Sequence, residues 1–274
     1  MQKILTTVAL STKKASPMFR KIRIVILLLI LVFVAANTWL DRVYSRDWDG
    51  PLQVALYPVN LDGSEVTQAF IRNLSDNELQ RLEDFFTRQA EQYELPLERP
   101  LRFTLAPQLP DAPPLVAEDA SVVGIMWWSL KLRWFGWRTP DPAGPTPAIR
   151  IFMLFHDPAI STQLPHSVGL EKGLLGIAHL FASGGMARAN QVIVAHELLH
   201  TLGATDKYDL SNNLPLYPDG YADPEQEPRL PQSKAELMAG RIAISESTAE
   251  QATGLTDCVI GPLTAREIGW TVAP

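Results

Sequence analysis

Short apolar segments separated by turn residues follow residue 50 of the chain. Five of them have the length and pattern of β-strands, at residues 52–59, 101–106, 149–155, 167–170 and 174–181. Residues 171–173 join the last two segments, so we expect these two to form a hairpin.

Helical patterns alternate with these strands. Ser75 and Glu78 match a capping box, which predicts a helix that runs to about residue 93. Its apolar face carries Leu79, Leu82, Phe85 and Phe86. A later helix is predicted to begin with Asn190 as its N-cap. The proline-rich residues 107–114 and 140–147 predict loops, and no linker divides residues 51–274, so we expect one α+β domain there.

The N-terminal region has a different pattern. Residues 22–40 are nearly uncharged and approach the ~20 residues that a membrane-spanning helix needs. All the charges before residue 41 are positive: Lys3, Lys13, Lys14, Arg20, Lys21 and Arg23. The positive-inside rule therefore predicts a cytoplasmic tail at 1–21, a transmembrane anchor at 22–40, a linker at 41–50 and an exported domain at 51–274. A cleaved signal peptide with its processing site at 34–36 is the alternative.

Composition narrows the class of protein. The chain is 46% hydrophobic and 20% charged, which excludes a disordered protein. Its single cysteine excludes a disulfide framework and a cysteine-rich zinc module. Beyond residue 40, 18 basic residues stand against 30 acidic ones, a net charge of −12, which argues against nucleic acid as a partner.

The candidate chemistry lies in the helix predicted after Asn190. His196 and His200 are four residues apart, so their rings project from one helix face at a spacing that suits a single metal ion. Glu197 is adjacent and turned enough to reach a water on that metal as a general base. Three ionisable groups in an otherwise apolar helix are costly unless something compensates them, which favours a functional site over core packing.

Two residues extend this motif. Gly203 follows His200 by three residues, where a helix can end in a conformation that glycine adopts cheaply. A turn there can direct the carboxylate of Asp206 back toward the metal. Asp209, Glu225 and Glu236 remain alternatives as the third ligand.

The segment from His196 to Asp206 reads HELLHTLGATD and resembles the metzincin zinc metallopeptidases, whose pattern is HExxHxxGxx followed by His or Asp. That family has a methionine-containing turn beneath the metal, and Met238 occupies the corresponding place. The resemblance implies a zincin-like mixed sheet with an active-site helix, a bound Zn²⁺ ion and a short closing helix near residues 263–270.

The chain departs from the family pattern at two points. Aspartate is the less common third ligand, and no tyrosine stands two residues after Met238 to contact the transition state. Tyr208, Tyr217 and Tyr221 are the candidates to replace it.

The remaining notable residues have simpler interpretations. His156, His166 and His179 lack metal-ligand spacing and are expected to be structural, and Cys258 is expected to be buried and inert. Residues 126–137 hold four of the seven tryptophans, close to three cationic side chains. This stretch can lie on a membrane or pack as a core helix or cleft wall, and packing is the interpretation we adopt.

The sequence thus predicts a membrane-anchored zinc metallopeptidase outside the cytoplasm, acting on a peptide or protein substrate. We expect the substrate to pair with an exposed edge strand. Two alternatives stay open: a zincin-fold binding or assembly module with little proteolytic activity, and a metal hydrolase with a non-peptide substrate.

Overall fold

A computed structural model describes residues 46–117 and 119–271, together with residues 21, 23–26, 28, 29 and 32. The chain divides into two units, 1–40 and 41–274. Among the described residues, no helix is both long and apolar enough to cross a membrane. Most of the predicted anchor at 22–40 lies outside the described residues.

The larger unit is built on a five-stranded sheet. Its strands are β1 (Leu52–Asn60), β2 (Leu101–Leu105), β3 (Ile149–His156), β4 (Val168–Leu170) and β5 (Leu175–Phe181). Their order is β2-β1-β3-β5-β4. The first four strands in that order are parallel, and β4 pairs antiparallel with β5 at the edge. Short strands β6 (Ala235–Glu236), β7 (Arg241–Ser245), β8 (Thr248–Gln251) and β9 (Cys258–Val259) form two separate pairs.

Within the described part of the larger unit, four helices pack on the sheet: α1 (Glu65–Arg72), α2 (Asp76–Gln92), α3 (Val122–Arg138) and α4 (Ala187–Thr201). A short helix, α5 (Pro262–Glu267), follows β9. Alternate residues of β3 point to opposite faces of the sheet, so the core has two parts. Met153 and Phe155 join the larger cluster with α1, α2 and α4, whereas Phe152 and Leu154 join the smaller cluster with α3.

The structure confirms the mixed α+β prediction, the five strands to within about two residues, and the two proline-rich loops. Ser75 caps α2 as predicted. The Ser75 backbone N–H donates a hydrogen bond to the Glu78 carboxylate at 3.5 Å. The short helix α1 was not predicted, although Ser64 caps it by accepting the Thr67 N–H at 3.0 Å.

The predicted N-cap of the helix that carries the histidines is wrong. That helix, α4, begins at Ala187 after a 3₁₀ turn, so Asn190 lies inside it. The Asn190 side chain bonds the backbone N–H and C=O of Phe181 at 3.2 and 2.8 Å. A residue type that favours helix starts is used here to fasten the end of β5 to α4.

Arg46 and Trp48 lie in the segment 41–50, which was predicted to be a linker, but both make contacts with later parts of the domain. The Arg46 Nε donates to the Leu202 carbonyl at 2.8 Å, and the Trp48 indole N–H donates to the Ile268 carbonyl at 2.8 Å. Trp48 is also buried edge-on against Trp270, with ring centroids 5.9 Å apart. Residues 46–48 are therefore part of the domain's packing.

The edge strand β4 approaches α4 more closely than a side chain would allow. A Cβ placed on Gly169 would overlap the Cβ of His200 and lie 2.5 Å from the Glu197 carbonyl oxygen. A carbonyl oxygen and a Cβ atom are both fixed by the helix backbone, so neither can move aside by a rotamer change. Glycine at position 169 thus brings the sheet edge directly beside the motif helix.

Replacing Gly169 by alanine is expected to lower the free energy of unfolding by about 3 kcal/mol, because the added methyl group must separate β4 from α4. Urea denaturation of the full chain, followed by circular dichroism, measures this. Gly184→Ala is the matched control, since a Cβ at Gly184 meets nothing within 4 Å. An equal effect of the two substitutions would contradict the close packing of β4 on α4.

Candidate metal centre

Helix α4 supplies three ionisable side chains from an otherwise apolar environment. Val194, Ala195, Leu198 and Leu199 are all buried. Glu197 is only 5% exposed, while His196 and His200 are partly buried and face the same side of the helix. Apolar contacts hold the helix in place. The three ionisable groups therefore need hydrogen bonds, opposite charges or a metal ion near them to offset the cost of their burial.

The end of α4 turns the chain back toward these histidines. Gly203 has φ +92°, and its N–H donates to the His200 carbonyl at 3.0 Å. The Ala204 N–H donates to the Leu199 carbonyl at 3.0 Å, so the last helical carbonyls are capped by the reversed chain. A side chain at Gly203 would also collide with the Arg46 guanidinium. The prediction of a glycine-dependent helix end is confirmed.

The reversal brings Asp206 to the two histidines. Its Oδ1 lies 3.2 Å from His196 Nε2 and 3.1 Å from His200 Nε2, and the two Nε2 atoms are 3.0 Å apart. Among the described residues, these three form the group whose ligand atoms, all within 4.8 Å of one another, can hold a metal ion. Two imidazoles and one carboxylate form a donor set used by zinc and by other first-row metals.

Backbone carbonyls fix the orientation of both rings. His196 Nδ1 lies 3.0 Å from the Leu237 carbonyl oxygen, and His200 Nδ1 lies 2.8 Å from the Ala204 carbonyl oxygen. Because a carbonyl only accepts, each Nδ1 carries a proton and donates it. In the neutral rings both Nε2 lone pairs are then free and directed at the shared point, as metal ligands require.

The local charges are strongly coupled. Burial opposes a charge on His196, but its hydrogen bond to Asp206 and the nearby Glu197 outweigh burial and raise the pKa of His196 to about 9. Burial likewise opposes a charge on Asp206, yet the two imidazoles hold the pKa of its carboxyl well below the usual range. The site therefore favours an ionised Asp206 carboxylate with a positive charge next to it. A bound cation can supply that positive charge.

Glu197 is the more deeply buried of the two carboxyl groups in the cluster. Its Oε2 is buried and has no hydrogen-bond partner among the described residues. Burial raises the pKa of the Glu197 carboxyl, against the opposing effect of the two histidines. An unpartnered buried carboxylate oxygen costs about 1–3 kcal/mol or more, which a purely structural role would not explain.

A tight turn at residues 236–240 supports His196 from below. Glu236 is fully buried and accepts from the Met238 and Ala239 N–H groups at 2.6 and 3.1 Å through one oxygen. Its other oxygen accepts from the Gly261 N–H at 3.1 Å and the Thr264 hydroxyl at 2.7 Å. This turn places the Leu237 carbonyl oxygen where it accepts the hydrogen bond from His196. Met238, predicted to lie in a turn near the metal, is completely buried in it.

Lys207 fastens the loop that carries Asp206. It is 4% exposed, and its Nζ donates to the Thr205 carbonyl at 2.7 Å and to the Glu267 carboxylate at 2.8 Å. The Lys207 N–H also donates to the Met238 carbonyl at 3.0 Å, which ties this loop to the turn. Neither Glu236 nor Lys207 was assigned such a role from sequence, because each also bonds a partner far along the chain: Gly261 is 25 residues from Glu236, and Glu267 is 60 residues from Lys207.

The alternative third ligands are placed elsewhere. Both Glu236 oxygens already accept hydrogen bonds, one from the turn and the other from Gly261 and Thr264, and Glu225 is exposed on its loop. Asp209 accepts from the N–H and hydroxyl of Ser211, at 2.8 and 2.7 Å, and so closes its own loop. Among the described residues, only Asp206 joins the two histidines.

A cleft of about 380 Å³ opens beside the histidines. Its walls come from the segment before β4, from α4 and from the turn that follows Met238. The lining includes His166, His179, His196, Glu197, Tyr208 and Arg241. Burial, together with the charges of Asp206 and Glu197, raises the pKa of the Tyr208 hydroxyl, so it remains a proton donor.

Of the three tyrosine candidates, Tyr208 lines this cleft. Tyr217 and Tyr221 contact each other instead, with ring centroids 5.4 Å apart, and the Arg229 guanidinium lies 4.8 Å above the Tyr217 ring. These two side chains therefore form a separate cluster in the loop.

The other histidines and the cysteine lie outside the candidate metal group. His156 Nε2 and His179 Nδ1 share a hydrogen bond of 2.9 Å in the interior, and burial lowers the pKa of His179 to about 4. His179 and His166 nevertheless line the cleft, which the sequence did not indicate. Cys258 is buried as expected, and burial raises the pKa of its thiol to about 12.

Comparison with known proteins assigns no family to the chain. No protein-family model matches it, and no curated protein matches its sequence.

Removing Asp206 is expected to weaken metal binding by at least about 100-fold, because even the loss of a group that supports a ligand costs 10–100-fold. Isothermal titration of the metal-free full chain with Zn²⁺ measures the Asp206→Ala variant. Asp209→Ala is the matched control and should bind like the parent, and Asp206→His should retain the metal.

If Asp209→Ala loses the metal while Asp206→Ala keeps it, the assignment of the third ligand is wrong. Equal binding by all the variants would show that the metal binds outside this cluster.

Proposed function

We propose that the protein is a zinc-dependent metallopeptidase. The observation that supports this most is the convergence of three ligand atoms at one point beside a buried, unpartnered Glu197 carboxylate at the wall of a cleft. The pattern HExxHxxGxxD, resembling that of the metzincins, adds to this and points to a zincin-like fold. His196, His200 and Asp206 would hold the ion.

Bound zinc would supply Lewis-acid polarisation of the scissile carbonyl and a water that ionises near neutral pH. Glu197 would take the proton from the attacking water and pass it to the leaving amine. Its burial suits this role, because a carboxylate with a raised pKa accepts a proton more readily than an exposed one. Tyr208, which lines the same cleft, would donate a hydrogen bond to the developing oxyanion.

The edge of the sheet favours a peptide substrate. Strand β4 lies at the end of the strand order and pairs only with β5 within the described sheet. The chain just before β4, residues 164–167, forms one wall of the cleft. An extended peptide adding to this edge would cross in front of His196 and Glu197, as in β-strand addition.

We further propose that residues 22–40 anchor the protein in a membrane, with residues 1–21 in the cytoplasm and the domain outside it. The thirteen-residue apolar run at 24–36 and the six positive charges before residue 24 support this topology. A peptidase so placed would act on peptides or proteins outside the cytoplasm.

The alternative function is a metal-holding binding or assembly module with little proteolytic activity. The absence of a tyrosine two residues after Met238 is the sequence feature that favours it. The intact Glu197 argues against it, because a binding module has no use for a buried carboxylate without a partner.

Substitution of Glu197 by glutamine separates the two functions. The amide keeps the shape of the side chain but cannot accept the proton, so hydrolysis of a casein or mixed peptide library should fall at least about 100-fold. Zinc content, measured by mass spectrometry, should stay near one per chain. Glu225→Gln, an exposed loop position, is the matched control and should keep full activity.

Equal hydrolysis by the Glu197→Gln variant and the parent would refute Glu197 as the base. Zinc binding by the parent without hydrolysis of casein or the peptide library would contradict the peptidase.

A further inference from the structure

Helix α3 has two apolar faces, and only one of them packs on the domain. Trp128, Leu132 and Phe135 are buried at spacings of four and three residues and contact the sheet. The packing interpretation of the tryptophan-rich stretch holds for Trp128 but not for its other three tryptophans: Trp127 and Trp134 are each 60% exposed, and Trp137 is 75% exposed.

The outward face is a continuous stripe along the helix. Met126, Leu130, Trp134 and Trp137 recur at spacings of four, four and three residues, which places them on one side. All four are exposed, as are Val122 and Val123 at the start of the helix. Trp134 and Trp137 contact each other, with ring centroids 5.0 Å apart. We call Met126, Leu130, Trp134 and Trp137, with the neighbouring Trp127, the α3 outer face.

One border of the outer face is cationic. Lys131 and Arg138 are exposed and lie about 20–40° further around the helix than Trp127, and the Lys131 ammonium lies 6.0 Å from the Trp127 ring. Residues 122–138 contain no Asp or Glu, although the chain beyond residue 40 carries a net charge of −12. The positive charge is thus local to this helix.

From these observations we infer that the α3 outer face is a docking surface for an anionic lipid bilayer. Tryptophan favours the boundary between the hydrocarbon and the headgroups, where its ring is buried and its N–H stays hydrated. Lysine and arginine beside such rings bind the phosphates of anionic lipids. The helix would lie in the plane of the membrane surface, with the packed face of α3 holding it to the domain.

A lipid surface fits this face better than a protein does. A protein partner would have to offer an apolar surface with acidic groups along one border, and the α3 helix of a second copy has no acidic residue to offer. The apolar segment 22–40 of the same chain, proposed above as an anchor, would also keep a bilayer within reach. The inference does not depend on peptidase activity.

The test places reporters on α3 in the full chain. Leu130→Cys is labelled with an environment-sensitive fluorophore and reconstituted into phosphatidylcholine vesicles with and without about one third phosphatidylglycerol. Nitroxide-labelled lipids and aqueous iodide serve as opposing quenchers. Val66→Cys is the matched control, since Val66 is an exposed apolar residue on α1, which packs on the opposite face of the sheet. The parent measures background labelling, because its Cys258 is buried.

We expect the Leu130 label to be quenched several-fold more by the nitroxide lipids than the Val66 label, and less by iodide, with the larger difference in the anionic vesicles. The same label in a Trp127→Ser, Trp134→Ser, Trp137→Ser background should become accessible to iodide. A second reporter, Met126→Cys, should behave like Leu130→Cys and guards against a local defect at one position.

Equal quenching of the Leu130 and Val66 labels would overturn the inference. Protection of the Leu130 label from both quenchers, increasing with protein density, would overturn it in favour of contact between two copies. Equal quenching of the Leu130 label in vesicles with and without phosphatidylglycerol would also overturn the inference, because it would exclude recognition of anionic lipid by Lys131 and Arg138.

Discussion

The structure depends on placing three ionisable side chains in a helix that is buried by apolar contacts. Glu197 is buried, and His196 and His200 reach the same point as Asp206. Unpaired charges in such a position would cost several kcal/mol each, so the surroundings are arranged to offset them. Two backbone carbonyls accept hydrogen bonds from the Nδ1–H groups, and Asp206 faces both Nε2 atoms. Among the described residues, one Glu197 carboxylate oxygen is buried with no hydrogen-bond partner.

The arrangement also requires close backbone approaches on both sides of α4. Gly169 lets β4 touch the helix, and Gly203 lets the chain reverse so that Asp206 returns to it. Hydrogen bonds to two carboxylates then hold these segments: Glu236 organises the turn that contacts His196, and Glu267 holds Lys207, the residue next to Asp206. The ligands are therefore oriented by contacts that are far apart in sequence but adjacent in space.

Local patterns in the sequence predicted what depends on local geometry. The four-residue spacing of the histidines, the glycine at the helix end and the capping box of α2 each act within one turn of helix, and all three are found as expected. Asn190 was misassigned because its partner, the end of β5, is a tertiary contact. The role of Glu236 and the exposure of the α3 outer face depend on which elements pack together, and residue spacing alone does not specify this. The strands β1, β3 and β5 were found because their apolar residues are buried on both sides of a largely parallel sheet.

The central claim is that His196, His200 and Asp206 together ligate one metal ion. X-ray absorption at the zinc edge of the zinc-loaded full chain tests it most directly, because it reports the ligand atoms themselves. We expect a first shell of nitrogen and oxygen at about 2.0–2.2 Å, with the outer-shell scattering of two imidazoles. A first shell that contains sulfur at about 2.3 Å, or the scattering of fewer or more than two imidazoles, would contradict the assignment of this site.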